Sequence, residues 1–311
     1  MSEYDVVVIG GGAAGLSAAL VLSRARRRVA VVDAGQPRNA PAAHMHGFLS
    51  RDGLPPAGLL AIGREEVQGY GGHLVHGTVA GAVRGPDSEF ELRLTNGSVL
   101  TARHLLVATG LRDVLPDIPG LRERFGRDVL HCPYCHGYEV RDQPIAVLGG
   151  TAEAVEHAQL VRQWSADVHL FPHSDALTAD QRAQLAARAI EVADGRVARL
   201  VVDDDRLTGV QLDGGRVVPR TAVFVRPEFV PNNDVLVALG AATDDRGWVV
   251  ADPVGRTTVA GLWVAGNVAN PRAQVITAAG EGSAAAIALN ADLVADDVAA
   301  AVRHHHVHQA G

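Results

Sequence analysis

Hydrophobic and polar positions alternate in blocks along the N-terminal part of the chain. Residues 4–9 form a β-branched apolar run, which is typical of a buried parallel strand. A glycine-rich turn follows, residues 16–22 have the composition of a helix, and residues 29–33 form a second apolar run. This order predicts a strand–helix–strand unit at the start of the chain.

The pattern predicts a similar unit in the middle of the chain. Strands are expected over 145–148 and 168–171, joined by a turn at 149–154 that leads into a helix. The remaining predicted elements are a helix over 56–70, short strands over 73–100 with a hairpin turn at 96–97, a strand over 104–107, a β-meander over 192–218, strands over 222–225 and 261–264, and a helix over 277–293.

Proline and glycine mark two domain boundaries. Pro116 and Pro119-Gly120 form the first, and the segment from Pro227 to Pro231 forms the second. The end of the chain returns to the first fold, so residues 1–115 and 230–311 are expected to form one domain, with residues 116–229 inserted as another. We predict an α/β protein with two Rossmann-like, three-layer nucleotide-binding domains.

Composition narrows the functional classes. Hydrophobic residues make up 47% of the chain and aromatic residues only 4%, so aliphatic side chains are expected to build the cores. The formal net charge of −7, with no basic run, argues against nucleic acid as a partner. No apolar run is long enough to cross a membrane and no signal peptide is recognisable, so we expect a soluble cytoplasmic protein with no membrane partner.

The first glycine-rich turn has the spacing of a dinucleotide-binding motif. Gly10, Gly12 and Gly15 form G-x-G-x-x-G between a predicted strand and a predicted helix. Gly10 allows the tight turn, Gly12 allows a pyrophosphate to approach the backbone, and Gly15 allows the helix to pack on the strand. Asp33 ends the second strand, where a carboxylate can bind ribose hydroxyls.

Cys132 and Cys135 are the only two cysteines of the chain, and they are spaced C-x-x-C between His131 and His136. A pair at this spacing can form and break a disulfide without remodelling the fold, or supply half of a metal site. Each histidine is adjacent to a cysteine and cannot easily complete one tetrahedron, so no metal site is predicted. Two buried, inert cysteines are the other alternative. We interpret the pair as a redox dithiol, because a disulfide in a cytoplasmic protein is more often catalytic than structural.

The C-terminal residues 303–311 include four histidines, at positions 304, 305, 306 and 308. Metal binding by such a tail is an alternative, but its composition favours a solvated or partner-packed segment. We therefore assign no metal to it.

Nearly the whole chain resembles the low-molecular-weight thioredoxin reductase family of two-domain flavoproteins. The residues that carry the resemblance are the N-terminal glycine turn, Ala108-Thr109-Gly110, the C-x-x-C at the start of an inserted domain, Ala265-Gly266-Asn267, and the segment 274–280 that opens the last helix. The resemblance implies FAD held by the discontinuous outer domain, a central domain that carries the dithiol and usually binds NADPH, and a homodimer.

The resemblance also implies which residues hold FAD. The glycine turn and Asp33 would hold the ADP half, the Gly266-Asn267 turn would lie at the diphosphate and ribityl chain, and Gln274 would reach the flavin ring. Asn267 stands where the family usually has Asp. The full set of predicted cofactor-binding residues is Gly10, Gly12, Ala13, Ala14, Gly15, Asp33, Ala34, Arg38, Asn39, His46, Val79, Ala108, Thr109, Gly110, Gly266, Asn267, Gln274 and Val275.

One departure from the family concerns NADPH. Thr151 replaces the second essential glycine of the second turn, and Glu153 places a carboxylate in the first turn of the helix, where it opposes a pyrophosphate. After the next strand the family places His-Arg-Arg for a 2′-phosphate, but this chain has no arginine there until Arg182. These changes argue against NADPH as a cofactor.

The other departure is His136, at a position where thioredoxin reductases normally have Asp. A histidine can take and return a proton near neutral pH. The segment 132–139 resembles the FAD-dependent dithiol oxidases that close disulfides in microbial natural products such as gliotoxin and holomycin. In that subgroup a substrate dithiol reduces the enzyme disulfide, the dithiol reduces FAD, and dioxygen becomes hydrogen peroxide.

The predicted catalytic residues follow from this resemblance. Cys132 would take the attack of the substrate thiolate, Cys135 would lie nearer the flavin, and His136 would be the acid and base, with His131 as a second candidate. A helix N-terminus near the cysteines would lower their thiol pKa values. Two alternatives remain: a NAD(P)H- or ferredoxin-dependent thioredoxin-disulfide reductase, and a flavoprotein without turnover, against which the intact C-x-x-C argues.

Overall fold

The computed structural model describes residues 3–85 and 89–309, with side chains through residue 306. The strands, in chain order, are β1 (Tyr4–Ile9), β2 (Val29–Asp33), β3 (His73–His76), β4 (Val79–Arg84), β5 (Phe90–Leu94), β6 (Val99–Val107), β7 (Leu111–Val114), β8 (Val129–Leu130), β9 (Ile145–Leu148), β10 (Val168–Phe171), β11 (Glu191–Val192), β12 (Val197–Asp203), β13 (Arg206–Leu212), β14 (Val217–Pro219), β15 (Ala222–Val225), β16 (Glu228–Pro231) and β17 (Leu262–Val264).

Eight α-helices connect or cover these strands within the described residues. They are α1 (Ala13–Arg24), α2 (Pro56–Gly69), α3 (Leu121–Arg124), α4 (Pro133–His136), α5 (Ala152–Val161), α6 (Ala179–Ala187), α7 (Asp234–Ala238) and α8 (Val275–Gln309). None of them is long and apolar enough to span a membrane.

The chain separates into two compact units. Unit 1 comprises residues 1–40, 56–112 and 230–311, and unit 2 comprises residues 41–55 and 113–229. The segment 41–55 differs from the domain prediction, which placed it in the outer domain. It packs with unit 2 because Pro41 lies against Gly126 and His46 contacts Glu139.

Unit 1 contains a seven-stranded sheet in the order β3-β2-β1-β6-β5-β4, with β17 also paired to β6. The first half of β6 pairs antiparallel with β5, and its C-terminal half pairs in parallel with β1 and β17. Parallel strands end at one edge of a sheet, so the segments that follow β1, β6 and β17 meet there, at the place where α/β sheets bind ligands.

Both faces of this sheet are buried, which explains the continuous apolar run of β1. Val6 and Val8 face a core shared with α1 and α8, whereas Val7 and Ile9 face a second core on the opposite side. Small residues bring α8 close to α1: a Cβ on Gly282 would lie 2.0 Å from the Ala14 carbonyl oxygen.

Unit 2 contains a parallel five-stranded sheet in the order β11-β10-β9-β15-β8 and an antiparallel sheet of β12, β13 and β14. Apolar cores again lie on both faces of the parallel sheet. The α/β class with two Rossmann-like domains, predicted from the sequence, is confirmed. The remaining strands, β7 and β16, pair with each other, and the chain passes between the units through them.

Helix α8 extends beyond its predicted end at residue 293. It continues through most of the histidine-rich tail, as far as Gln309. Ion pairs of Asp297 with Arg27 and Arg103 hold the added turns against unit 1. The side chains of 304–306 are exposed, and His308 lies outside the described side chains.

Candidate active site

Main-chain atoms pack tightly against two glycines of the turn that follows β1. Gly10 has a φ of 105°, in the left-handed region that favours glycine, and a Cβ there would lie 2.4 Å from the Ala108 carbonyl oxygen. A Cβ on Gly15 would lie 1.8 Å from the Gly10 carbonyl oxygen. The fold itself therefore needs glycine at both positions.

Gly12 has a different environment. It precedes α1 with a φ of −79°, and apart from Gly12 and its neighbours in the chain no atom of the described residues lies within 4 Å of the position that a Cβ would take. No side chain caps α1, and its first turn carries no acid. The unpaired N–H groups and the helix dipole at this end attract an anion. This open helix end fits the pyrophosphate of FAD.

Asp33 lies beside this turn at the end of β2. Its Oδ1 accepts a hydrogen bond from the Gly11 N–H at 3.1 Å, and its Oδ2 accepts one from Arg64 Nη2 at 3.2 Å. Each oxygen keeps a second lone pair for a ribose hydroxyl. Arg64 is not among the residues predicted from the sequence, although it is the only basic residue of α2.

The turn after β17 is held by a partly buried network of hydrogen bonds. Gly266 has a φ of 76°, and its N–H donates to Glu281 Oε2 at 3.0 Å. Asn267 Nδ2 donates to the carbonyl oxygens of Asn270 and Ala273 at 2.9 and 3.0 Å. Because both partners are acceptors, the amide orientation is determined, and Oδ1 stays available to a hydroxyl of the cofactor. Asn267 therefore fits FAD without the charge of an aspartate.

The other predicted cofactor-binding residues take the following places. Ala13 and Ala14 open α1, Ala34 follows β2, Arg38 and Asn39 lie in the next turn, Val79 begins β4, Ala108, Thr109 and Gly110 follow β6, and Gln274 and Val275 open α8. Thr109 Oγ1 donates to the Asn232 carbonyl oxygen at 2.6 Å, and Asn232 Nδ2 donates back to the Thr109 carbonyl oxygen at 3.0 Å. His46 alone belongs to unit 2.

The two cysteines of unit 2 form a disulfide. Cys132 follows β8 and precedes α4, and its Cα lies 5.3 Å from the Cα of Cys135. The Cys132 carbonyl oxygen accepts hydrogen bonds from the N–H groups of Cys135 and His136 at 3.1 and 3.2 Å. Both cysteines are partly exposed, so a thiol can reach the disulfide. The helix N-terminus predicted near the cysteines is that of α4, which is a single turn and therefore has a weak dipole.

Trp164 packs against one side of the turn that carries the disulfide, residues 132–137, which we call the redox turn. A Cβ on Gly137 would lie 2.8 Å from the indole ring, and the Tyr134 ring meets Trp164 edge-on with centroids 5.6 Å apart. The Tyr134 side chain is otherwise exposed, as is that of Tyr138, which follows α4 in the chain. Two of the four tyrosines of the chain thus border the disulfide, where aromatic faces can contact an apolar substrate.

His136 directly follows Cys135 and is partly buried. Burial lowers the pKa of His136, the Glu139 carboxylate opposes this by raising it, and the nearby His46 lowers it further. The imidazole therefore stays neutral, and able to take a proton, at pH values below its ordinary range.

His131 lies among aromatic rings. Its ring stacks on Phe125 with centroids 6.2 Å apart and meets Phe229 edge-on at 5.9 Å. Its backbone is hydrogen-bonded by the ring of His157, which is buried beneath it. These are contacts of a packing residue, and the acid–base role of His131 stays a prediction.

In the second glycine turn, which follows β9, side chains accept the hydrogen bonds of the backbone N–H groups. Thr151 caps α5, with its hydroxyl accepting from the Ala154 N–H at 3.3 Å, and Glu153 lies in the first turn. The Gly150 N–H donates to Asp175 Oδ2 at 2.8 Å, and a Cβ on Gly150 would lie 2.6 Å from the Asp175 Cβ. The backbone donors that a pyrophosphate needs are therefore used or screened by carboxylates, and the turn does not fit NADPH.

The segment after β10 offers no arginine to a 2′-phosphate. His173 Nδ1 accepts from the Val197 N–H at 3.0 Å, so this ring is tied to β12. Arg182 forms a two-pronged ion pair with Asp194 at 2.7 and 3.2 Å. Arg182, the first arginine after β10, is therefore engaged by Asp194 and is not free to bind a 2′-phosphate.

Several residues of these sites were missed by sequence reasoning. Glu281 and Asn232 support the turns of unit 1, and Asp52, Glu139 and Asp175 act in unit 2. Glu281 carried a signal, as one of only two acids, with Asp292, in the Ala-rich stretch 277–293 predicted as a helix. The other four residues lie in polar loops, where their neighbours do not distinguish them. Among the described residues, no group of three or more His, Cys, Asp or Glu side chains is arranged to hold a metal ion.

Comparison with known proteins agrees with this architecture. A family model described as pyridine nucleotide-disulphide oxidoreductase matches residues 4–282. The chain is 31% identical to thioredoxin reductase sirT of Leptosphaeria maculans, over 96% of this chain and 97% of that protein. It is 30% identical to the thioredoxin reductase of Listeria monocytogenes, over 91% of each.

Solved structures match over the same extent. The crystal structure of HlmI is 57% identical, with a TM-score of 0.94 over 97% of this chain and 96% of that one. A thioredoxin reductase TrxB described as putative, from Bacillus anthracis, is 32% identical, with a TM-score of 0.91 over 94% and 99% of the two chains. The chain belongs to the pyridine nucleotide-disulphide oxidoreductase family and is an FAD-dependent, thioredoxin reductase-like disulfide oxidoreductase.

Proposed function

We propose that the protein is a dithiol oxidase, which closes a disulfide in a small-molecule dithiol and uses dioxygen as the electron acceptor. The observation that carries the proposal is the second glycine turn, where Thr151, Glu153 and Asp175 take the place of a phosphate site. An enzyme that receives its electrons from a dithiol has no need of NADPH. The 57% identity to HlmI supports the dithiol oxidase subgroup.

The reaction balances with one dithiol and one dioxygen. A substrate thiolate attacks Sγ of Cys132, the Cys132–Cys135 bond breaks, and Cys135 leaves as a thiolate. The second substrate thiol then displaces Cys132, which releases the oxidised product and leaves both enzyme cysteines reduced. FAD, when bound, would accept the two electrons of this dithiol and pass them to dioxygen, which becomes hydrogen peroxide with the two substrate protons.

His136 is the base of this scheme. It lies next to Cys135, and its lowered pKa keeps the ring neutral when the substrate thiol must lose its proton. The glycine turn at Gly12 and the network at Asn267 would hold FAD in unit 1. The exposed rings of Tyr134 and Tyr138 provide a surface for the substrate beside the disulfide.

A thioredoxin-disulfide reductase is the second candidate function. The thioredoxin reductases among the relatives favour it, and a ferredoxin-linked enzyme would also lack the NADPH turn. We further propose a homodimer in the cytoplasm that acts without nucleic acid or membranes as partners.

The test is the absorbance of bound oxidised FAD under anaerobic conditions, after addition of NADPH, NADH or dithiothreitol in separate samples. We expect bleaching by one equivalent of dithiothreitol and by neither nucleotide, and recovery on admission of air with one hydrogen peroxide per flavin. Fast bleaching by NADPH would overturn the proposal in favour of a reductase. A Cys135→Ser variant should keep its FAD and lose dithiol bleaching, which controls for reduction of free flavin.

A further inference from the structure

The segment 41–55 brings a third histidine to the redox turn of unit 2. The rings of His46 and His136 meet at right angles with centroids 6.5 Å apart. Two carboxylates flank His46: its Nε2 lies 3.4 Å from Glu139 Oε1, and its Nδ1 lies 3.3 Å from Asp52 Oδ2. The Glu139 carboxylate also acts on His136 through its charge, so His136, Glu139, His46 and Asp52 form one cluster of titratable side chains next to the disulfide.

The loop that carries His46 is closed by its own hydrogen bonds. The Met45 N–H donates to the Leu54 carbonyl oxygen at 3.0 Å, and the Gly53 N–H donates to the Met45 carbonyl oxygen at 2.9 Å. Asp52 Oδ1 accepts from the Gly47 N–H at 2.8 Å. Met45 is buried and anchors the loop in unit 2. His46 and Asp52 are therefore held in place by the fold.

These groups extend from a partly buried imidazole to the protein surface. His136 is partly buried, the Glu139 and His46 side chains are 42% and 22% exposed, and the Asp52 side chain is 66% exposed. A neutral imidazole can donate to only one of two carboxylates, so the ring of His46 can accept a proton at one nitrogen while it releases one at the other. The charges of Glu139 and His46 act on the pKa of His136 in opposite directions, and the hydrogen bonds from Gly47 and His46 lower the pKa of Asp52.

We propose that Glu139 and His46 relay protons between His136 and solvent during the thiol–disulfide exchange. The inference rests on the proposed dithiol oxidation, in which two S–H protons leave the substrate in succession. After His136 has taken the first proton, it must release that proton before it can act as a base again. Glu139 takes that proton and passes it to His46 Nε2, and the proton on His46 Nδ1 leaves to Asp52, at the surface.

The test uses anaerobic stopped-flow reduction of the FAD-loaded enzyme by dithiothreitol, with His46→Ala as the variant and His44→Ala as its matched control. His44 lies two residues away on the same loop with an exposed side chain. We expect His46→Ala to slow reduction about tenfold, below the full contribution of a direct acid–base group. Added imidazole should restore the rate of this variant in proportion to its concentration, and should leave wild type and His44→Ala unchanged.

A loss of rate without rescue by imidazole would show a structural role and overturn the relay, as would an unchanged rate. If His46→Ala is poorly folded, His46→Gln keeps one hydrogen bond to a carboxylate and is tested in its place. Should wild type itself resist dithiothreitol, the proposed function fails, and the relay is judged by a second readout.

That readout is NMR titration of the His136 ring in the purified protein, assigned with His136→Gln. Loss of His46 removes a group that lowers the pKa of His136, so its midpoint should move to higher pH in His46→Ala and to lower pH in Glu139→Gln. The midpoint should not move in His44→Ala. Midpoints that stay in place in both test variants would overturn the contact on which the relay depends.

Discussion

His136 acts as a base only in its neutral form, so its environment decides the pH range of the enzyme. Burial lowers its pKa below the ordinary value of 6.5, and the Glu139 carboxylate opposes this less strongly. The neutral ring is therefore present at pH 7 and persists below pH 6.5. The same position occupied by an aspartate would supply a base of a different strength, which is the physical meaning of this departure from the thioredoxin reductases.

We expect the rate of enzyme reduction by a dithiol to show an acid limb with a midpoint below pH 6.5. His136→Gln should abolish this limb and lower the rate about a hundredfold, at the lower end of acid–base contributions. Plotting the ratio of the wild-type to the variant rate against pH removes the ionisation of the substrate thiol. A midpoint of that ratio above pH 6.5 would contradict the assignment.

The lowered pKa of His157 affects the stability of the fold. Burial lowers its pKa to about 4, helped by the charge of Arg226, and its Nδ1 has no partner among the described residues. In the unfolded chain the ring titrates near 6.5. Because the folded pKa is the lower one, the unfolded chain binds more protons between pH 6.5 and 4, and stability falls as the pH drops through this window.

This linkage predicts a pH-dependent loss of up to about 3 kcal/mol in the free energy of unfolding between pH 6.5 and 4. In His157→Gln that part of the loss should disappear, so wild type and variant should differ more at pH 7 than at pH 4.5. Urea unfolding at the two pH values measures it. The exposed His44→Gln is the control, and a variant that loses stability in parallel with wild type would refute the role of His157.

At the scale of elements, the two glycine turns show how one motif serves different ends. Both begin with a glycine in the left-handed region, at Gly10 and Gly149. The first turn leaves the N–H groups of α1 open, whereas in the second the Ala154 N–H of α5 donates to the Thr151 cap and the Gly150 N–H of the turn donates to Asp175. The difference arises from side chains at a few positions, since strand, turn and helix are otherwise alike.

Gly12 and Gly15 make a matched pair for testing this view. Gly12→Ala places its Cβ in open space at an ordinary φ, so the unfolding free energy of the apoprotein should change by less than about 0.5 kcal/mol while FAD affinity falls. Gly15→Ala meets the Gly10 carbonyl oxygen and should cost more than about 2 kcal/mol. Flavin content and urea unfolding separate the two effects. Equal destabilisation by both variants would contradict the open site at Gly12.

At the scale of the whole molecule, the long helix α8 leaves an apolar stripe uncovered. Its inner face packs on α1, whereas on its outer face Ile287, Val294, Val298 and Val302 are 62%, 47%, 57% and 48% exposed. These residues recur at helical spacing and so lie along one side. An uncovered apolar stripe of this length is typical of a protein interface, which supports the proposed homodimer.

We expect a solution mass of twice the 32.5 kDa chain. The double variant Val294→Glu and Val298→Glu should shift it to the monomer, because burying two carboxylates in an apolar interface is unfavourable. Light scattering after gel filtration measures the mass. Val83→Glu, at an exposed residue of β4, is the control, and a double variant that remains dimeric would place the interface elsewhere.

The sequence by itself determined the local units of this protein. The β-branched runs, the glycines at 10, 12 and 15, and the cysteine spacing specify strand, turn and redox pair through contacts between near neighbours in the chain. The same local chemistry revealed the altered second turn, because Thr151 and Glu153 act on the helix that they begin.

Only the tertiary structure decided which distant side chains complete each site. His46 meets Glu139 across more than 90 residues of sequence because segment 41–55 packs in unit 2, and Asp175 reaches Gly150 from the far end of the next strand. Such contacts depend on packing between elements, and a polar residue in a loop has no periodicity from which its partner can be read. Packing on α1 and ion pairs with Arg27 and Arg103 likewise set the length of α8.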